Sequence, residues 1–369
     1  MPKFPRLAAV TGALVAVGAL AACSSTSTVS PASATSAAPA AAGASAGAPA
    51  GVQPLTLYAA EGYDTAVAKA FTAKTGIPVT VDDDSTGPLL TKIAAEKNNP
   101  QWSLFWADGD TAFASLDQQG LLLPYRSSAS LTAAGTALEP ADQGYTPTGT
   151  TVMAALIYNA AAVSAVPTSY DDLLTAAYRG KVGMNDPSQS GPTYPFIAGL
   201  MNQLGGEQGG VKAGEDYLAK LKANGLHVFP TNGDTLHALE NGQIDYGLIQ
   251  SSAATGEVLK VKPTAAFKPA IAYLPKATLL PGAIAIDKGA PAAVQAEAKQ
   301  FVDYVLSPEG QHVMQTGDPS GDSLFWPIVS GVTALPQLPA FPADYQALDP
   351  RFWGPLEGQV NTWFDSTIK

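Results

Sequence analysis

The strand–helix–strand opening of the folded part of the chain constrains its architecture more than any other feature. Residues 54–83 read PLTLYAAEGYDTAVAKAFTAKTGIPVTVDD. Alternating apolar residues predict strands at 55–58 and 77–81, and apolar residues at helical spacing predict a helix over 63–74. Two strands joined through a helix form a parallel crossover unit, so the sequence predicts an α/β fold.

Further units of the same kind follow along the chain. Ser85 and Pro88 indicate the start of a helix over 87–97, and a strand over 103–106 leads to Asp108. Later segments alternate between helix and strand in the same order. About 320 residues remain after the N-terminal region, and a folded part of that length usually divides into two lobes.

The first 23 residues carry the pattern of a secretion signal. Lys3 and Arg6 precede an uncharged apolar run, and Leu20, Ala21 and Ala22 lead to Cys23, the single cysteine of the protein. The apolar run is too short to cross a membrane as a helix. The pattern resembles that of bacterial lipoproteins, which implies removal of residues 1–22 and acylation of Cys23. An ordinary secretion signal is the alternative.

Composition limits the partners and the chemistry of the chain. Residues 23–53 are rich in Ala, Ser, Pro and Gly without charges or aromatic rings, which predicts a flexible tether. The 31 acidic and 20 basic residues give a net charge of −11, which argues against a nucleic-acid partner. A lone cysteine excludes an internal disulfide and, once acylated, thiol catalysis. An anion site would therefore depend on local backbone N–H groups.

One loop carries the pattern of such an anion site. Residues 183–196 read GMNDPSQSGPTYPF, in which Ser190 and Gly191 precede a proline at the first turn of a predicted helix. Free N–H groups and the positive end of the helix dipole favour an anion at such a position. Helix capping without a ligand is the alternative role of this loop.

Four segments of the chain resemble bacterial extracellular solute-binding proteins of ABC importers. They are LTLYAAEGYDTAVAKAFTAKTGIPVTV, GPLLTKIAAEKNNPQWSLFWADGD, ALENGQIDYGLI and AKQFVDYVLSPEGQ. The group they resemble most includes ferric-iron-binding and 2-aminoethylphosphonate-binding proteins. The resemblance implies a type II periplasmic-binding fold: two α/β lobes, a ligand cleft between them, and two crossing strands near 148–158 and 251–267.

The resemblance also implies domain boundaries. Lobe 1 is expected to comprise residues 54–150 and 262–323, lobe 2 residues 151–261, and a C-terminal segment, residues 324–369, is expected to pack over the lobes. The expected partners are a small-molecule ligand and the permease and ATPase subunits of the importer. The protein is expected to be a monomer, attached outside the cytoplasm through the lipid on Cys23.

Residues carried over from the iron-binding relatives argue against iron here. The position of the family's histidine falls on Gly62, preceded by Glu61, and the family's acidic position falls on Asp108 in FWAD. The tandem tyrosines fall on Ser252 and Ala253. Ferric iron prefers charged oxygen ligands such as phenolate, and neither Ser252 nor Ala253 supplies one. No metal site is therefore predicted.

The oxyanion side of the family's site is retained in QSGPT and in STGPLL of the first lobe. Glu61 and Asp108 suit a cationic group, so the sequence predicts a ligand with an oxyanion at one end and an amine or a metal at the other. Helix capping alone is the alternative for the residues at 85–87, 108 and 190–193. A place in a hinge loop without ligand contact is the alternative for Ser251 and Ser252, and a core position is the alternative for Tyr194. The candidate ligand-binding residues are Glu61, Ser85, Thr86, Gly87, Asp108, Ser190, Gly191, Thr193, Tyr194, Ser251 and Ser252.

The sequence contains no enzyme motif with its required partner residues, so no cofactor or catalytic residue is predicted. The word GDSL at 321–324 occurs in lipid hydrolases, but His227, His237 and His312 all precede it, so the order of a catalytic triad is missing. The predicted function is capture of a small oxyanion-bearing solute, such as 2-aminoethylphosphonate or another zwitterion, for an ABC importer. A ferric-iron or metal–oxyanion import protein, a secreted α/β hydrolase and a binding module that reports to a sensor are the alternatives.

Overall fold

The computed structural model describes residues 51–369, which lie within one compact unit. The predicted tether over most of its length, the signal and Cys23 fall outside the described residues. Nine strands and eleven helices follow Gly51. The strands are β1 (Leu55–Ala59), β2 (Val79–Asp83), β3 (Leu104–Asp108), β4 (Thr146–Asn159), β5 (Val182–Asn185), β6 (His227–Phe229), β7 (Tyr246–Ile249), β8 (Pro269–Ile286) and β9 (Tyr345–Gln346).

The helices alternate with these strands over most of the chain, which confirms the α/β prediction. They are α1 (Asp64–Thr75), α2 (Thr86–Ala95), α3 (Asp110–Gln118), α4 (Ala133–Leu138), α5 (Thr193–Ala223), α6 (Asn232–Glu240), α7 (Ser251–Lys260), α8 (Ala292–Val305), α9 (Pro308–Gly317), α10 (Pro350–Trp353) and α11 (Glu357–Thr367).

The sheet has two halves that share two long strands. Its order is β2-β1-β3-β8-β4-β7-β5-β6, with β9 paired to β8. β1 pairs in parallel with β2 and β3, and β5 pairs in parallel with β6 and β7. β4 and β8 run antiparallel to each other along their length, so they connect the two parallel groups.

The two long strands correct part of the sequence prediction. The first crossing was expected near 148–158, and β4 runs through that range. The second was expected near 251–267, but residues 251–260 form α7, and the second long strand is β8. Ser251 and Ser252 therefore begin a helix rather than a hinge loop.

Local sequence explains where several elements begin and end. Gly76 ends α1 in the left-handed region at φ 77°, where a side chain would be strained. α6 begins with a capping box, because the Thr231 side chain accepts from the Asp234 N–H while the Asp234 carboxylate accepts from the Thr231 N–H. α5 is interrupted at Gly206, which has a non-helical backbone at φ 62°.

The C-terminal segment lies against both groups of strands. Trp353, Val360 and Phe364 are buried in the same apolar cluster as Met201 and Leu218 of α5. α10 and the single turn after it contact α3, which follows β3. No helix within residues 51–369 is long and apolar enough to cross a membrane.

Candidate ligand cavity

A polar cavity of about 390 Å³ lies where the strands of both groups end. The carboxyl ends of β1, β2 and β3 face those of β5, β6 and β7, which is where open α/β sheets bind their ligands. Its lining is mostly polar. The lining residues are Ala60, Glu61, Gly62, Asp83, Asp84, Ser85, Thr86, Asp108, Ser190, Gly191, Pro192, Thr231, Asn232, Gly233, Gln250 and Asp322.

One end of the cavity is built from helix N-termini. α2 begins behind Ser85, α5 behind Pro192, and α6 behind Thr231, and all three caps line the cavity. Within the described residues, the backbone N–H groups of Thr86 and Gly191 donate to no other group of the chain. Unpaired N–H groups at helix starts carry partial positive charge, so this end favours an anion.

The two groups of strands touch each other at this end. The Gly87 N–H donates to the Gln189 carbonyl at 3.3 Å, which joins the start of α2 to the loop before α5. A Cβ at Gly87 would lie 2.8 Å from the Ser188 carbonyl carbon, and one at Gly191 would overlap Thr86. The glycines allow this close approach of two backbones, so the two sides of the cleft are in contact here.

A second part of the cavity, called here the acidic end, contains buried carboxylates. Glu61 is 2% exposed, and its Oε1 has no hydrogen-bond partner within the described residues. Asp108 is 9% exposed and accepts a hydrogen bond from the Gln250 amide. A Cβ at Gly282 would lie 3.1 Å from Asp108 Oδ1 and 3.8 Å from Glu61 Oε1, so the two carboxylates share one small space.

Asp322 completes the acidic end. Its Oδ2 accepts from the Gly62 N–H at 2.9 Å, and its Oδ1 accepts from the Ser252 hydroxyl at 3.4 Å. Gly62 follows β1, whereas Ser252 lies in the first turn of α7. Asp322 thus contacts both groups of strands while its carboxylate lines the cavity.

Burial and mutual repulsion disfavour the charged forms of these acids. Burial, and then the charges of Asp108 and Asp322, raise the pKa of Glu61 well above its usual value. Burial and the neighbouring Asp322 raise the pKa of Asp108 to about 8. Burial raises the pKa of Asp322 to about 6. The described lining residues include no Lys, Arg or His to offset these charges.

The structure brings six of the predicted site residues together and leaves five outside the cavity lining. Glu61, Ser85, Thr86, Asp108, Ser190 and Gly191 line the cavity. Of the other five, Gly87 contacts the facing loop and Thr193 is fully buried. Tyr194 donates its hydroxyl hydrogen to the Trp353 carbonyl in the core, and Ser251 accepts from the Val152 N–H at 3.1 Å. Ser252 contacts the cavity only through its hydrogen bond to Asp322.

The sequence reasoning missed several lining residues. Asp322 lies in the GDSL word, which fails as a hydrolase motif and carries no other local signal. Gln250 directly follows β7, and Thr231 to Gly233 follow β6, so their positions at strand ends were available as a signal. Asp83 and Asp84 end β2 and are exposed at the cavity.

Comparison with known proteins identifies the family. The sequence pattern of the bacterial extracellular solute-binding proteins matches residues 66–346. The chain belongs to this family. Its members bind solutes and are not enzymes, so the prediction that the protein is not an enzyme is confirmed, as is its role as the solute-binding component of an ABC importer.

Relatives agree with this assignment. A periplasmic protein of Salmonella paratyphi A, provisionally named for 2-aminoethylphosphonate binding, is 25% identical over 245 residues, which is 66% of this chain and 68% of the relative. The solved periplasmic binding protein P5PA is 25% identical with a TM-score of 0.71, covering 86% of this chain and 99% of that one.

A second solved structure supports the fold. AfuA from Actinobacillus pleuropneumoniae, with fructose 6-phosphate bound, is 22% identical with a TM-score of 0.71, covering 85% of this chain and 98% of that one. The protein therefore has the two-lobed type II periplasmic-binding fold, with β4 and β8 as the strands that cross between the lobes. It functions outside the cytoplasm.

Proposed function

We propose that this protein captures a small oxyanion-bearing solute, 2-aminoethylphosphonate or another small organic zwitterion, and delivers it to the importer's permease after its lobes close. The observation that supports this most is that the N-termini of three helices, α2, α5 and α6, line one polar cavity. Each N-terminus stabilises an anion by about 0.3–2 kcal/mol through its dipole. Charge-assisted hydrogen bonds from the free N–H groups add to this.

The acidic end of the cavity supports the zwitterion rather than a simple anion. Glu61, Asp108 and Asp322 line the same cavity as the helix starts and would meet a positive group of the solute. A cavity of about 390 Å³ is at the lower end of the usual range for ligand sites, which favours a small solute. Within the described residues, no group of three or more acidic, His or Cys side chains is arranged to hold a metal ion.

The lobe division that we propose follows the two long strands. Residues 54–150 with 280–323 form one lobe, residues 155–275 form the other, and residues 324–369 pack over both. This moves the second boundary from residue 262 into β8, because residues 269–273 of β8 pair with residues 155–159 of β4, and residues 155–158 pair in turn with β7 of the second group. Closure would then bend β4 and β8 and bring the two sets of strand ends together.

We also propose that the protein acts as a monomer attached to the membrane through a lipid on Cys23. Replacing Cys23 with Ser is expected to move the protein from the membrane fraction to the soluble fraction of the producing bacterium. Labelling with a radioactive or clickable palmitate is expected to be lost in the same variant. Unchanged membrane association and labelling would rule out this anchor.

The ligand is tested by a thermal-shift screen of residues 51–369, which contain the complete core described above. The panel contains 2-aminoethylphosphonate, inorganic phosphate, fructose 6-phosphate, amino acids, polyamines, neutral sugars, and ferric iron with and without phosphate. A solute that binds the folded state raises the melting temperature as its concentration increases. We expect this with 2-aminoethylphosphonate or a related zwitterion, and a shift only with iron or only with neutral sugars would refute the proposal.

A further inference from the structure

The closed cavity buries more negative charge than its own residues can neutralise. Five carboxylates line it, those of Glu61, Asp83, Asp84, Asp108 and Asp322, and no cationic side chain is among its described lining residues. Asp83 and Asp84 are exposed, so water screens their charge. Glu61 and Asp108 are buried, and buried carboxylates without a positive partner are strongly disfavoured.

An unpartnered atom shows where a positive group would be received. Glu61 Oε1 is buried and makes no hydrogen bond within the described residues, although it belongs to a residue that lines the cavity. Its neighbours in space include the Asp108 carboxylate, the Tyr63 side chain and Gly282, which has no side chain to fill the gap. An ammonium group has three donors and no acceptor, so it matches a space bounded by carboxylate oxygens.

The same carboxylates are connected to the facing lobe. Asp108 is the last residue of β3 and accepts a hydrogen bond from Gln250, which follows β7. Asp322 accepts from Gly62 on one side and from Ser252 on the other. These contacts exist when the cleft is closed, so closure itself removes the acids from water and raises the cost of their charge.

We propose that the solute must carry a protonated amine, and that this amine permits closure by neutralising the cluster formed by Glu61, Asp108 and Asp322. An oxyanion without an amine would leave the buried charges unpaired, so the lobes would stay open around it. This inference rests on the proposed function and adds a rule of selection to it. The acid cluster then acts as a gate against empty closure as well as a binding group.

Isothermal titration calorimetry with three solutes that differ in their amine and phosphonate groups tests whether the amine is required. They are 2-aminoethylphosphonate, ethylphosphonate, which lacks the amine, and ethanolamine, which lacks the phosphonate. We expect 2-aminoethylphosphonate to bind at least 30-fold more tightly than either of the others. Equal affinity for ethylphosphonate would overturn the amine requirement and leave the proposed oxyanion function standing.

The complementary results separate the two proposals. Tight binding of ethanolamine alone would refute the proposed oxyanion function and leave the amine site standing. Glu61→Gln is expected to reduce the preference for 2-aminoethylphosphonate over ethylphosphonate at least tenfold, whereas Glu207→Gln, an exposed change on α5, should leave it unaltered. An unaltered preference in Glu61→Gln would overturn the inference.

A measurement without any solute tests whether the acid cluster opposes closure of the empty protein, even if none of the three probes binds. Small-angle X-ray scattering at pH 7.5 gives the radius of gyration of the ligand-free protein. The double variant Glu61→Gln, Asp108→Asn is expected to be more compact than the wild type, because its empty cavity no longer opposes closure. An equal or larger radius in the double variant, with an unchanged circular dichroism spectrum, would contradict the gate.

Discussion

The two ends of the cavity are built in different ways. The helix end is formed mainly by backbone N–H groups at the starts of α2, α5 and α6, whose partial charges are fixed by the helices themselves. The acidic end is formed by side chains from three distant points of the chain, Glu61, Asp108 and Asp322. Helix dipoles cost little free energy when no ligand is present, whereas buried carboxylates without a positive partner cost much. Only the acidic end therefore opposes an empty closed state.

The largest effect is expected from a change that keeps the two lobes from meeting at the helix end. In Gly87→Ala the new methyl group would overlap the Ser188 backbone, which cannot move aside as a flexible side chain would. We expect the affinity for 2-aminoethylphosphonate to fall at least 100-fold by calorimetry, with little change in melting temperature. Gly209→Ala is the matched control, because nothing lies within 4 Å of its Cβ. Wild-type affinity in Gly87→Ala would show that closure at this contact is not needed.

A second comparison tests the helix end by itself. Ser190 lines the cavity, whereas the neighbouring Thr193 is fully buried and does not. Ser190→Ala is expected to weaken binding of 2-aminoethylphosphonate about tenfold, since a hydrogen bond to a charged group contributes about 1.5–3 kcal/mol. Thr193→Ala should change the affinity less than Ser190→Ala. A larger loss in Thr193→Ala would mean that the loop acts through its packing rather than through the cavity.

A smaller difference between the two ends is expected in how ligand affinity depends on pH. The raised pKa values, about 8 for Asp108 and about 6 for Asp322, mean that the closed state holds protons which the solvated acids release. Empty closure is therefore favoured at low pH and lost as the pH rises through these values. Protons compete with the amine, so the affinity for 2-aminoethylphosphonate should weaken severalfold from pH 8 to pH 5. The other titratable groups near Glu61 are Tyr63, Asp64, Asp83, Asp84 and Asp318.

Calorimetry at pH 5, 6.5 and 8 checks this dependence, in buffers of different ionisation enthalpy so that proton release is measured directly. We expect protons to be released on binding near pH 6.5. Binding that strengthens toward pH 5 would contradict the assignment of the amine to the acidic end. Ethylphosphonate, which does not engage the acids, should show the opposite trend.

The smallest effect is expected from a change outside both ends. Arg351 forms exposed ion pairs with Asp117 at 3.6 Å and with Asp142, which join the C-terminal segment to the first lobe. Exposed pairs contribute about 0–1 kcal/mol, so Arg351→Ala should lower the free energy of unfolding by less than 1 kcal/mol in urea. The ligand affinity should remain within about twofold of the wild type. A larger loss of affinity would mean that this link takes part in closure.

The contrast between the ends also explains what the sequence could predict. Ser85, Thr86, Ser190 and Gly191 stand next to helix starts, and capping chemistry is local, so these residues were found from short patterns. The α/β order and the first long strand were found because apolar periodicity is also local. Asp108 came from the position of the strand end and from family resemblance.

The remaining residues depend on contacts that no short pattern contains. Asp322 reaches the cavity because its loop packs between Gly62 and Ser252, residues 260 and 70 positions away in the chain. Tyr194 was assigned to the site from its loop, but it points into the core because the Trp353 carbonyl accepts its hydroxyl hydrogen. The second crossing was misplaced because it was taken from the family resemblance alone, and residues 251–260 form α7 instead of a strand.

The turn of residues 350–356 reaches both lobes on the outside of the cleft. The Gln118 amide of α3 donates to the Arg351 carbonyl at 2.7 Å, while Trp353 lies in the apolar core beside α5. Part of the contact surface of the closed form is therefore independent of the solute. The resting population of closed protein is then set partly by residues that never touch the ligand.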